Sequence, residues 1–240
     1  MKKVAGFLFF VVLISLLFFD VAHAQSARDL NTEGYRLYGA GKYPEALECF
    51  TRAVAADPNY ALAHYNLACT LGVLRKRGGE SICTYDAYKS TILDHLEAAI
   101  HLDPDTLMRM GSEPDLDTIR NTIRYLRLTG LSPDNEDDIK TILVTVTWFG
   151  PSPGAFGPTS SITFHEDGTL TLWTLDTTGN EPKRIDYRGE CSVTANRITI
   201  TLETPLDGTV QFIGTIMPGG TLDLPGLPGP FNDDPHECEA

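Results

Sequence analysis

The sequence has far fewer basic residues than acidic residues. Its 19 lysines and arginines stand against 32 aspartates and glutamates, and the formal net charge is −13. Binding to a nucleic-acid backbone without sequence specificity requires the opposite sign of charge. We therefore expect no nucleic-acid partner. With 240 residues, of which 42% are hydrophobic, the chain is long enough to form one sizeable core or two smaller ones.

The short motifs of common enzyme and metal sites are also missing. The sequence contains no Cys-x-x-Cys pair, no His-Glu-x-x-His, no P-loop and no dinucleotide fingerprint. The run from His165 to Gly168 combines three proton-handling side chains, but it is typical of a hairpin turn. The sequence therefore predicts no catalytic residue, no metal site and no cofactor, and we expect a protein that is not an enzyme.

The N-terminus has the pattern of a secretory signal peptide. Two lysines precede an apolar run from Val4 to Phe19, which is shorter than the ~20 residues that a bilayer span needs. Ala22 and Ala24 then form a small-x-small cleavage site. We expect residues 1–24 to be removed, the mature chain to have no membrane span, and the protein to be periplasmic or secreted. An uncleaved membrane anchor is the alternative.

Export changes how the five cysteines are interpreted, because thiols can pair in an oxidising compartment. An odd number leaves at least one thiol free or bonded to another chain. Cys69 and Cys83 flank a Gly-Gly loop, and they are the preferred disulfide candidate. Two separate buried thiols are the alternative.

The segment from Leu30 to Tyr60 carries a helical repeat pattern. The pattern consists of the small residues Gly34, Ala46 and Ala53, the larger apolar residues Leu37 and Phe50, and a proline at the end of the repeat, Pro58. Small residues let two helices approach closely, Phe50 fills the space between them, and Pro58 ends the second helix. The pattern resembles the tetratricopeptide repeat (TPR), which implies a pair of packed helices followed by further pairs.

A second repeat opens near Ala68, one repeat length of about 34 residues after Gly34. Its closing proline, Pro104, comes later than this period predicts, so an inserted basic loop is expected after Arg75. Apolar residues at steps of three and four then predict one amphipathic capping helix from Thr106 to Gly130.

The apolar period changes from 3.6 to 2 in the C-terminal half. Alternation from Ile142 to Trp148 predicts the first of seven or eight short strands, which form an antiparallel meander that is closed or nearly closed. The fold class is thus predicted to be multidomain α + β: a TPR-like α-solenoid of about two repeats plus a capping helix, then a β-barrel-like or meander domain. The predicted parts are residues 1–24 (signal peptide), 25–130 (helical domain), 131–138 (linker), 139–225 (β-rich lipocalin-like domain) and 226–240 (an acidic tail rich in proline and glycine, whose residues from Asp233 to Cys238 are expected to be solvated or to form a disulfide through Cys238).

The order of residues along these strands resembles the small lipocalin-like domains of exported bacterial proteins. The positions that carry this resemblance are Phe164, Asp167-Gly168-Thr169, Gly189, Asn196, Ile198, Ile200, Phe212-Ile213-Gly214 and Leu222. In a barrel this short we expect the interior to be filled by its own side chains. A cavity that holds a small apolar molecule, which the resemblance implies, is the alternative.

The resemblance to TPR proteins implies that a peptide binds in the concave groove formed by the first helix of each repeat. The candidate groove residues recur at helical spacing, and they are Asn31, Tyr35, Tyr38, Leu62, Tyr65 and Asn66. Tyrosine offers a large apolar body with a hydroxyl, and asparagine can bond a peptide backbone. We therefore expect an exported adaptor with a protein or peptide partner. Packing of these tyrosines within the fold, or an apolar-ligand carrier built on the β-domain, are the alternatives.

Overall fold

A computed structural model describes residues 25–77, 88–151, 158–178, 181–204 and 208–234. The predicted signal peptide, Cys83, Cys238 and most of the inserted basic loop lie outside these residues.

Two pairs of helices form the N-terminal part. The first pair is α1 (Ala27–Gly39) and α2 (Tyr43–Ala56), and the second is α3 (Ala61–Arg77) and α4 (Lys89–Leu102). Ser26 begins α1, since its hydroxyl accepts a hydrogen bond from the Asp29 amide at 3.2 Å. These helices confirm the two predicted repeats.

The predicted single helix from Thr106 to Gly130 is wrong, because three short pieces replace it. They are α5 (Thr106–Gly111), a 3₁₀ helix (Pro114–Ile119) and α6 (Ile123–Leu128). Pro114 has no backbone N–H and keeps Glu113 in an extended conformation, so a helix cannot continue through this point. Thr122 then caps a new helix by accepting a hydrogen bond from the Tyr125 amide.

A further helix, α7 (Glu136–Thr145), occupies part of the predicted linker and the predicted first strand. The Asn135 side chain caps it by accepting from the amides of Asp137 and Asp138 at 2.9 and 3.1 Å. Its buried residues, Ile139, Ile142 and Leu143, follow the helical period. The predicted strand from Ile142 to Trp148 is therefore wrong over most of its length, although the division of the chain into domains stays a prediction.

Seven antiparallel strands follow in the order of the sequence, as a meander. They are β1 (Trp148–Phe149), β2 (Ser160–Phe164), β3 (Thr169–Asp176), β4 (Lys183–Thr194), β5 (Arg197–Thr204), β6 (Gly208–Ile216) and β7 (Leu222–Asp223). The run from His165 to Gly168 is the predicted turn between β2 and β3, with Gly168 at φ +83°.

The C-terminal segment closes this sheet into a barrel. Phe231 exchanges backbone hydrogen bonds with Leu222 of β7, and Asn232 exchanges them with Phe149 of β1, at 2.7 to 2.9 Å. Phe231 is also fully buried. Residues 231–232 thus complete the hydrogen bonding of both edge strands. The multidomain α + β architecture with a nearly closed barrel is confirmed.

The same segment joins the barrel to the helices. The Asp233 carboxylate accepts a hydrogen bond from the Ile123 amide at the start of α6 at 2.9 Å, and Lys89 at the start of α4 donates to the Asp233 carbonyl at 2.9 Å. Buried apolar residues from α2 through the barrel form one continuous cluster. The helical pairs and the barrel thus share one hydrophobic core. Only the faces that lie outside this core are open to solvent.

Candidate functional site

The candidate site is the concave face formed by α1 and α3. The opposite side of α1 packs against α2, which leaves this face uncovered by α2. A Cβ atom at Gly34 would lie 2.7 Å from the Phe50 ring, so only glycine allows α1 and α2 to approach this closely. Phe50 and Ala46 are fully buried on that side. The other face of α1 carries Tyr35, whose relative exposure is 67%.

Two asparagines join the helices that form this face. The Asn66 side-chain amide of α3 donates to the Asn31 side-chain oxygen of α1 at 2.9 Å. Asn31 is buried and Asn66 is half-buried. The bond fixes the spacing of α1 and α3, and it leaves the Asn66 oxygen without a hydrogen-bond partner among residues 25–77 and the other described segments.

The segment after α5 covers one half of the concave face. The Tyr38 hydroxyl donates to the Asp115 carboxylate, and the Tyr65 hydroxyl donates to the Glu113 carboxylate at 3.3 Å. A Cβ atom at Gly72 of α3 would collide with the Asp115 carbonyl. Glycine at that position therefore allows the 3₁₀ helix to lie directly against α3.

Burial and nearby negative charge keep the side chains of Tyr38, Tyr65 and Cys69 protonated in this half of the face. Burial is the larger cause that raises the pKa values of Tyr38 and Tyr65 above their ordinary value, and the carboxylates of Asp115 and Glu113 add to it. Both hydroxyls consequently remain protonated donors at neutral pH. Burial, reinforced by the charge of Glu113, likewise raises the pKa of Cys69, so its thiol stays neutral.

The six predicted groove residues therefore fall into two groups. Tyr35 and Leu62 are exposed, at 67% and 38%, and neither side chain forms a hydrogen bond or ion pair among the described residues. Asn31, Tyr38, Tyr65 and Asn66 bond within the molecule. Sequence reasoning missed Glu113, Asp115 and Gly72 as parts of this surface, since their signal is a contact between distant parts of the chain.

The proposed disulfide stays a prediction. Cys69 is a buried free thiol in the structure, and Cys83 lies outside the described residues. Cys49 and Cys191 are half-buried free thiols.

A second polar contact links the helices of the second pair. Nδ1 of His64 on α3 lies 2.9 Å from Nδ1 of His95 on α4, and Nε2 of His64 lies 3.0 Å from the Pro58 carbonyl. Because that carbonyl can only accept, we assign a proton to His64 Nε2 and make His95 Nδ1 the donor to His64. Burial, followed by the neighbouring His64, lowers the pKa of His95.

The remaining chemistry of the described residues is limited. They contain no group of three or more metal-ligating side chains of histidine, cysteine, aspartate or glutamate, and none of their helices has the length and apolar character of a membrane span. The inward side chains of the barrel, among them Trp148, Ile162, Leu172 and Ile200, are buried at 2% exposure or less. They pack the barrel interior at these positions.

Comparison with known proteins finds a match in the first part of the helical region. The family model of the TPR repeat matches residues 34–71, which run from Gly34 of α1 to Leu71 of α3. Comparison with curated proteins finds no match. The match confirms the predicted TPR repeat, a module that is typically non-enzymatic, and supports a role in protein–protein interaction. The lipocalin-like resemblance of the barrel stays a prediction.

Proposed function

We propose that this chain is an exported adaptor that binds a segment of another protein on the concave face of α1 and α3. The TPR match over residues 34–71 supports protein binding in general. The open half of the concave face supports the location, because it combines an exposed aromatic ring, an exposed aliphatic side chain and an amide oxygen.

Tyr35 is the observation that carries this proposal. It lies between Asn31 and Tyr38 on the same face of α1, and both neighbours bond to other parts of the molecule while Tyr35 is 67% exposed. An exposed tyrosine can bury a large area in an interface at small entropic cost, which is why tyrosine is common among the residues that dominate binding.

The occupant of this surface must be short or must cross it at an angle. The segment from Glu113 to Asp117 fills the half beside Tyr38 and Tyr65, so a partner reaches the half around Tyr35 and Leu62. An apolar side chain of the partner would lie against these two residues. A backbone N–H of the partner would donate to the side-chain oxygen of Asn66.

Export is the second part of the proposal, and it rests on the sequence pattern of residues 1–24. N-terminal sequencing of the protein isolated from its host tests it. Cleavage gives Gln25 as the first residue, whereas a chain that begins at Met1 contradicts export by this signal.

Site-specific photo-crosslinking tests where the partner binds. We expect a photoreactive amino acid in place of Tyr35 to form a covalent adduct with a second protein in the host compartment. Glu48, exposed on α2 and outside the concave face, is the matched control position, and it should give no such adduct. Adducts of equal yield at both positions, or at Glu48 alone, contradict binding on the concave face.

The alternative, a carrier of a small apolar molecule, places function in the barrel. The inward residues named above are buried against one another, and no observation on the described part of the chain favours a carrier. Mass spectrometry of the native protein purified from its host separates the two functions, because a carrier retains its ligand and an adaptor has the mass of the chain alone.

A further inference from the structure

We propose that the concave face recognises a basic segment of its partner, in which a lysine or arginine side chain lies against the carboxylates of Glu113 and Asp115. This inference rests on the proposed function, because it assigns a charge to the segment that the same face binds.

The first argument is that these two carboxylates have no ion-pair partner among the described residues. Glu113 accepts hydrogen bonds from the Tyr65 hydroxyl and from the Asp115 amide, each at 3.3 Å. Asp115 accepts from the Tyr38 hydroxyl. Neutral donors therefore satisfy part of their hydrogen-bonding capacity, but none of them balances the negative charge.

The next acidic residue on the same 3₁₀ helix provides a contrast. The Asp117 carboxylate lies 3.0 Å from Nε of Arg120 and 4.0 Å from the Lys76 ammonium. The Arg120 guanidinium also donates to the Glu113 backbone carbonyl at 2.7 Å, but none of the described cations forms an ion pair with the two carboxylates that face the tyrosines.

The second argument is the location of these charges within the concave face. Both residues are half-buried, and a charge interacts more strongly there than on an open surface because the local dielectric constant is lower. Their negative charge contributes to the raised pKa values of Tyr38 and Cys69, which lie on the facing sides of α1 and α3. The field of the two carboxylates therefore extends over the covered half of the concave face, which adjoins the open half around Tyr35.

The third argument is continuity with the open half. Tyr35 lies three residues before Tyr38 on the same face of α1, a spacing that makes their side chains neighbours. A segment that packs an apolar side chain on Tyr35 and Leu62 can extend a basic side chain towards Asp115. The ring of Tyr35 can also attract a cation through its face.

The charge of the whole chain acts in the same direction. A formal charge of −13 attracts a cationic partner over long range and repels an acidic one. An acidic segment on this face would in addition place its carboxylates beside those of Glu113 and Asp115. The charges therefore favour a basic partner segment over an acidic one.

Fluorescence anisotropy with two synthetic peptides tests this inference on the mature chain. The peptides have the same length and the same leucine positions, and their polar positions are lysine in one and glutamate in the other. We expect the lysine peptide to bind and the glutamate peptide not to bind. Raising the salt concentration should weaken binding, because salt screens the attraction.

Isosteric variants connect the binding to the two carboxylates. Glu113→Gln and Asp115→Asn keep an oxygen that accepts from the tyrosine hydroxyls but remove the charge, so we expect each to weaken binding of the lysine peptide by roughly tenfold. Glu48→Gln removes the same charge from an exposed site on α2 and should change the affinity by less than about twofold. Thermal melts confirm that all variants remain folded.

The other outcomes overturn the inference in distinguishable ways. Failure of the lysine peptide to bind at millimolar protein overturns it, as does equal affinity of Glu113→Gln, Asp115→Asn and the unmodified chain. Tighter binding of the glutamate peptide also overturns it. If Tyr35→Ala weakens peptide binding while the charge variants do not, the concave face remains a binding site and only its preference for basic segments is wrong.

Discussion

The hydroxyl of Tyr38, on the first helix of the first repeat, donates a hydrogen bond to the carboxylate of Asp115, which follows the second repeat. This contact connects residues that are 77 positions apart in the sequence. It divides the concave face into a half that the chain covers itself and a half, around Tyr35, that stays open.

Removal of the Tyr38 hydroxyl should destabilise the fold. We expect Tyr38→Phe to lower the free energy of unfolding by about 1–2 kcal/mol, because it leaves a half-buried carboxylate without its donor. Tyr35→Phe is the matched control, since that side chain is exposed, and it should change stability by less than about 0.5 kcal/mol. Urea unfolding of both variants measures the difference. Equal stability of the two variants would contradict a stabilising role for the Tyr38–Asp115 bond.

A methyl group at Gly72 should separate the 3₁₀ helix from α3. Glycine to alanine inside a helix ordinarily stabilises it by up to about 1 kcal/mol. Here the new Cβ atom would collide with the Asp115 carbonyl, so we expect Gly72→Ala to destabilise the protein by about 1–3 kcal/mol. Gly39→Ala is the control, because a Cβ atom there meets no neighbour within 4 Å. A stabilising effect of Gly72→Ala would show that Asp115 does not lie against α3.

The histidine pair should make stability depend on pH. Because the pKa of His95 lies below its ordinary value of 6.5 in the folded protein, the unfolded chain binds more protons than the folded one as the pH falls below about 6.5. The stabilisation is present above that pH and is lost as the pH decreases towards the pKa of folded His95.

Chemical unfolding between about pH 8 and pH 5 measures this effect. His95→Gln should reduce the fall in stability over that window, whereas His165→Gln, in the exposed turn between β2 and β3, should leave it unchanged. An identical pH dependence in His95→Gln and the unmodified chain would mean that His95 does not contribute.

The closure of the barrel depends on Phe231. We expect Phe231→Ala to destabilise the protein by about 3–5 kcal/mol, since it removes a fully buried ring beside the strands that the segment connects. Val210→Ala on β6 is the control, because that side chain is 45% exposed and should contribute little. Differential scanning calorimetry of both variants checks the prediction. Comparable melting temperatures would show that the C-terminal segment does not complete the barrel.

The sequence predicted the elements whose signals are local. The positions of Gly34, Ala46 and Phe50 indicate the first pair of helices, and the structure brings Gly34 and Phe50 into contact. The spacing of Tyr35 and Tyr38 indicates that both lie on one face of α1. What this spacing could not show is that Asp115 covers one of them and leaves the other open, since no local pattern encodes that contact.

Residues 136–145 show the other limit of sequence reasoning. Ile142 fits both an alternating pattern and a helical one, and the β-branched residues around it favour a strand. The helix forms because Asn135 caps it and because Ile139, Ile142 and Leu143 together reach the core. Packing and capping thus override the local preference for a strand.

The affinity of the crosslinked partner for variants at the open half tests the central claim most directly. We expect the Tyr35→Ala, Leu62→Ala double variant to raise the Kd by about tenfold or more, while its melting temperature stays close to that of the unmodified chain because both side chains are exposed. An unchanged Kd in a folded double variant would contradict partner binding on the concave face of α1 and α3.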